Sequence, residues 1–132
     1  MKSSTCLKIA GGFSFFFFLF HIPFYWVFNW KESLSCLSAD NWAIVMCFNI
    51  ITITLLFFMA YVSLFQTADI INSRLGKSFL VFSTGFYLFR IAAEFIFFDE
   101  PNRIISAVII TLCLIPAIFY SIPLWLKNNL NS

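Results

Sequence analysis

Residues 13–26 read FSFFFFLFHIPFYW, and the identity of this stretch decides the fold. It holds seven phenylalanines in fourteen residues and, among them, the only histidine of the chain, His21. Three readings compete: a cleaved export signal, a buried core helix and a membrane span. A signal peptide needs small residues at a cleavage site after its apolar core. Here the core runs into Pro23, Phe24, Tyr25 and Trp26 instead. The expected element is therefore a retained helix, with Tyr25, Trp26 and Trp30 forming an aromatic belt at its far end.

The rest of the chain decides between core and membrane. Of its 132 residues, 61% are hydrophobic and 11% are charged. A soluble domain is about one quarter charged, and a small domain has much surface to cover for its volume. Eight Lys/Arg and six Asp/Glu cannot cover it. The net charge of +2 comes without a basic stripe, so nothing suggests nucleic acid.

A hydrocarbon core about 30 Å thick takes about 20 apolar residues to cross as a helix. Four runs qualify, at about 7–28, 42–65, 79–98 and 104–126. They are too long, and too little alternating, for strands. The expected fold is all-α: a polytopic integral membrane protein with four transmembrane helices in an up-down antiparallel bundle. Residues 1–132 then form a single transmembrane domain.

Lys2, Lys8, Arg74, Lys77 and Lys127 fall on one side of such a bundle. Lys31 and Arg103 fall on the other, with Glu32, Asp40, Asp99 and Glu100. The positive-inside rule then places both termini in the cytoplasm. The expected location is a cell membrane of the bacterial inner-membrane type.

Local signals refine the boundaries. Ser38 or Asp40 can cap the second helix. The stretch DEPNR, residues 99–103, reads as a tight outer turn with Pro101 at a helix start. Gly76 is expected to end a helical extension, and residues 65–78 to be part helical. Pro116 should kink the fourth helix. Gly11, Gly12 and Gly85 permit close helix approach. None of Cys6, Cys36, Cys47 and Cys113 forms a C-x-x-C pair, so no redox or zinc motif is present. Cys36 could meet Cys47 near one membrane face.

Ionisable residues at membrane depth cost several kcal/mol and usually face the bundle interior. Arg90 and Glu94 lie four residues apart on one helix face, which Ser83 and Tyr87 extend. Depth along each helix, at about 1.5 Å per residue, puts His21, Asn49, Glu94 and Thr111 in the same outer half, with Arg90 nearer the middle. The candidate site is this polar layer: His21, Asn49, Tyr87, Arg90, Glu94 and Thr111. As a site, it would use Glu94 as proton acceptor, Arg90 as anion anchor and His21 as proton shuttle. As structure, it would be interhelical glue worth about 0.6–2 kcal/mol per contact.

Three functions fit. The first is an accessory, scaffold or assembly component that binds a larger membrane protein. The second is a small transporter or channel subunit working through Glu94, Arg90 and His21, and active as a homodimer. In size and helix number the chain resembles the small multidrug transporters in outline. That family keeps its membrane carboxylate in the first helix. Here the first helix carries His21 and the carboxylate is Glu94 in the third, so no residue is carried over. The third is an intramembrane enzyme on a lipid-like substrate. One histidine does not make a metal or haem site, and no cofactor is expected. The expected partners are the lipid bilayer and either a larger membrane protein or a second copy of the chain.

Overall fold

The computed structural model describes residues 2–97 and 103–128, and the side chains of all of these except 103, 127 and 128. The expected turn at 99–103 with Pro101, and the charges of Asp99, Glu100, Arg103 and Lys127, lie outside what is described. Among the described residues the fold is all helical, with no strand.

Seven helices follow one another: α1 Ser3–His21, α2 Phe24–Val27, α3 Trp30–Ser33, α4 Ala39–Phe65, α5 Thr67–Asn72, α6 Arg74–Phe97 and α7 Arg103–Asn128. Four of them, α1, α4, α6 and α7, are long and apolar enough to cross a membrane. Their 19, 27, 24 and 26 residues correspond to lengths of about 28, 40, 36 and 39 Å.

The first apolar run is cut shorter than its hydropathy implies. α1 stops at His21, seven residues before Phe28. Pro23 has no N–H to offer the Leu19 carbonyl, and its ring crowds that carbonyl. The chain then makes two four-residue helices, α2 and α3, turning between them at Asn29 with φ 44° and ψ 50°. Asparagine tolerates this left-handed conformation better than a bulky residue would. Its side-chain amide also donates to Glu32 Oε2 at 2.6 Å.

α4 begins at Ala39, and of the two capping candidates it is Ser38 that acts. Its Oγ accepts from the Asn41 N–H at 3.4 Å. α5 supplies the expected helical piece of the 65–78 connection. Gly76 does something other than end it. Ser73 leaves α5 extended and caps α6, accepting the Gly76 N–H at 2.8 Å, so Gly76 sits in the first turn of the next helix. There its missing Cβ is needed for another reason: a Cβ would overlap the backbone of Ile70. α7 continues through Pro116 and Pro123, both buried.

The closest backbone packing is between α1 and α4, between α6 and α7, and between α1 and α7. His21 lies beside Asn49, Phe18 beside Phe57 and Gly11 beside Ser63, so positions rise along α1 as they fall along α4. A Cβ on Gly11 would stand 2.8 Å from Ser63 Cβ. Gly12 and Gly85 face open space. The core gathers Leu7, Leu56, Met59, Tyr87, Ala117 and Tyr120. Large apolar side chains also cover the outside, among them Phe89, Phe95 and Ile104, each more than 70% exposed.

Two kinds of glycine should respond oppositely to alanine. Gly76→Ala must push α5 away from α6 and should destabilise by about 1–3 kcal/mol. Gly12→Ala and Gly85→Ala add helix propensity into empty space and should stabilise by up to about 1 kcal/mol each. Unfolding in mixed detergent micelles measures all three.

Candidate functional site: the interior polar groups

The residues of the sequence-derived polar layer fall into separate groups. Arg90 and Glu94 do meet. Arg90 Nη1 donates to Glu94 Oε2 at 2.8 Å, one helical turn apart on α6. The second carboxylate oxygen reaches another helix, accepting from Ser106 Oγ at 2.8 Å. Glu94 is therefore held on both oxygens and is 3% exposed, while the Arg90 side chain is 35% exposed. A carboxylate buried this deeply without such partners would cost several kcal/mol.

His21 turns elsewhere. Its Nδ1 bonds the Phe17 carbonyl of its own helix at 2.8 Å, and its ring stacks on Phe24 with centroids 4.3 Å apart. Asn49 does not reach the imidazole. Its amide donates to the His21 backbone carbonyl at 3.5 Å, tying α4 to the end of α1. Thr111 is exposed and donates to Ala107 of its own helix at 2.8 Å. It lines a shallow apolar groove with Ile104, Ala107, Val108 and Leu112.

Tyr87 belongs to a different assembly. Its hydroxyl lies 2.9 Å from Ser14 Oγ. Ser14 Oγ lies 3.0 Å from the Tyr120 hydroxyl and 3.1 Å from the Ala10 carbonyl. The Tyr120 hydroxyl lies 2.8 Å from Ser63 Oγ. Ser14, Ser63, Tyr87 and Tyr120 come from α1, α4, α6 and α7 and are at most 2% exposed. Each hydroxyl has one proton and two lone pairs. A carbonyl can only accept, so Ser14 donates to Ala10. Both tyrosines then donate to Ser14, and Ser63 donates to Tyr120. This is the only assignment that makes all four bonds with four protons.

Sequence reasoning placed Ser83, Tyr87, Arg90 and Glu94 on one inward face; Ser83, Tyr87 and Glu94 are buried, whereas the Arg90 side chain is partly exposed. That reasoning missed Ser14, Ser63, Tyr120 and Ser106. A serine in an apolar helix ordinarily bonds the carbonyl four residues back, so it carries no distinctive signal. Ser14 does this and accepts two tyrosines as well. Depth along the helices was the usable signal, since it applies to Ser14, Ser63 and Tyr120 as it does to Glu94. Ser83 Oγ and Thr84 Oγ1 are buried without a hydrogen bond among the described residues.

The interior holds no metal-binding group of three or more His, Cys, Asp or Glu among the described residues. Cys36 and Cys47 are exposed and free, and Cys6 and Cys113 are buried and free. Comparison with protein-family models, with curated proteins and with solved structures brought no match.

The hydroxyl cluster sets a rank order of damage. Ser14→Ala strands two tyrosine protons and should cost most, about 2–3 kcal/mol. Tyr120→Phe removes one donor and one acceptor, about 1–2 kcal/mol. Tyr87→Phe removes one donor, about 0.6–1 kcal/mol. Reversible unfolding in mixed micelles checks the order.

Proposed function

We propose that this chain is a four-span integral membrane protein, an up-down antiparallel bundle with its N-terminus in the cytoplasm, acting as an accessory or assembly component for a larger membrane protein. One observation carries the reading: polarity runs inside out. Serine and tyrosine hydroxyls and a glutamate lie at the centre, mostly bonded to one another, while phenylalanines and isoleucines face outward. Water would penalise that exterior, and lipid would not. In lipid the packed interior polar contacts are what hold helices together.

The order of neighbours along α1 and α4 supports the antiparallel sense. The short α5 then returns the chain through α6 in the direction of α1. Lys2, Lys8, Arg74 and Lys77 gather at one end of this arrangement. Lys31 lies at the other, with Trp26 and Trp30 at the level of an interface.

The accessory role draws on the same interior. A transporter using Glu94 as proton acceptor needs that carboxylate free to change partners. Both of its oxygens are bound, to Arg90 and Ser106. The polar groups serve the shape of the bundle, and the outward surface remains for contact with lipid and with a partner.

The natural cysteines make the topology testable. Cys36 is exposed in the segment between α3 and α4, whereas Cys6 and Cys113 are buried. A membrane-impermeant maleimide applied to intact cells should modify Cys36, with the protein staying in the membrane fraction after alkaline carbonate washing. Labelling only after permeabilisation would reverse the orientation, and release by carbonate would remove the membrane reading. For the accessory role, native mass spectrometry after gentle extraction should find the chain bound to a different membrane protein. Recovery solely as monomer or homodimer would count against it.

A further inference from the structure

The end of the bundle where α1 and α6 begin is charged unlike the other. Lys2 and Lys8 stand at the start of α1, and Arg74 and Lys77 at the start of α6. All four are exposed. None of their side chains makes a hydrogen bond or ion pair with a described residue. Asp69, on α5, is the one carboxylate among the described residues at this end. At the opposite end Lys31 stands against Glu32 and Asp40.

These cations are mounted on a fixed frame. α5, about 9 Å long, packs against α1 and α6 as well as α4. Its Ile70 is buried and lies so close to Gly76 that no Cβ would fit there. Arg74 and Lys77 flank that contact in the sequence. The starts of α1 and α6 are thus both held against one short helix. Like charges gathered this way, with one carboxylate to offset them, raise the local positive potential and draw anions.

Apolar side chains at the same end select the anion. Leu75, between Arg74 and Gly76, is 80% exposed, and Phe65, at the end of α4, is nearly as open. α7 runs opposite to α6, since Glu94 meets Ser106 and Phe79 meets Tyr120. Trp125, also exposed, therefore lies at this end. A soluble anion would use the cations and leave the leucine and the rings in water. A phospholipid uses both: its phosphate meets Lys and Arg, and its glycerol and acyl region covers the apolar groups. We propose that this end of the bundle binds the headgroups of anionic phospholipids, taking them in preference to zwitterionic ones from the leaflet it faces. The preference rests on the membrane reading above, and holds whichever side of the membrane that leaflet is on.

The test uses the full chain in nanodiscs of phosphatidylcholine with a minority of phosphatidylglycerol, both carrying the same acyl chains. Native mass spectrometry of the released protein counts the lipids it keeps. Phosphatidylglycerol should be enriched about fivefold or more over its bulk proportion. The combined variant Lys8→Gln, Arg74→Gln, Lys77→Gln should bring the bound lipids close to the bulk ratio. Lys8→Arg with Lys77→Arg keeps the charge and should keep the enrichment, as should Lys31→Gln at the opposite end. Bulk proportions in the original chain, or enrichment that survives the combined variant, would overturn the proposal. So would displacement of the bound lipid by millimolar glycerol phosphate, which would mean a site for a soluble anion. A chain that enters nanodiscs and takes both lipids in bulk proportion fails this proposal alone, whereas one that does not enter them fails the membrane reading as well.

Discussion

Ser14 has one proton, and the Ala10 carbonyl takes it. That constraint orders the centre of the molecule. Because Ser14 cannot donate again, Tyr87 and Tyr120 must both donate to it, and Ser63 must donate to Tyr120. Ser14 thus joins three of the long helices directly and the fourth through Tyr120 and Ser63, with every proton of the cluster used. In a medium without water the alternative to these bonds is a stranded polar group, costing more than the bonds themselves contribute. The cluster specifies which faces meet, while apolar side chains around it supply packing.

The second tie works on the same principle with charge. Glu94 is tolerated in the interior because Arg90 and Ser106 occupy both of its oxygens. Breaking such a pair harms more than replacing it whole, since a lone buried charge remains. The hydroxyl cluster joins all four helices and the carboxylate joins α6 to α7. Gly11 against Ser63 and Gly76 against Ile70 set how closely the chain can approach itself between them. Outside this framework large apolar side chains cover much of the described surface, which suits contact with lipid better than with water.

Much of this was legible in the sequence. Length and hydropathy located four long helices, because a run of about 20 apolar residues has few other fates. Spacing put Arg90 and Glu94 on one helix face, where they pair, and Glu94 reaches across to Ser106 as well. Boundaries were harder where one residue outweighed a trend. Pro23 ends α1 inside an aromatic run, and Ser73 starts α6 before Gly76 can end anything. The interior was only half readable. Depth can be counted along a helix, but rotation about its axis decides which polar groups touch, and composition does not encode it. His21 and Glu94 share a half of the bundle without sharing a bond, whereas Ser14 and Tyr120, unremarkable in sequence, meet at 3.0 Å. The histidine among the phenylalanines is satisfied on one nitrogen by its own helix and stacks its ring on Phe24.

The most direct measurement is a double-mutant cycle between Ser63→Ala and Tyr87→Phe, by reversible unfolding in mixed micelles. These two residues make no hydrogen bond with each other and are linked only through Tyr120 and Ser14. If the four hydroxyls act as one network, the coupling energy should reach about 0.5 kcal/mol or more. Additivity within about 0.3 kcal/mol would mean that the helices are held by independent contacts, and would contradict the account.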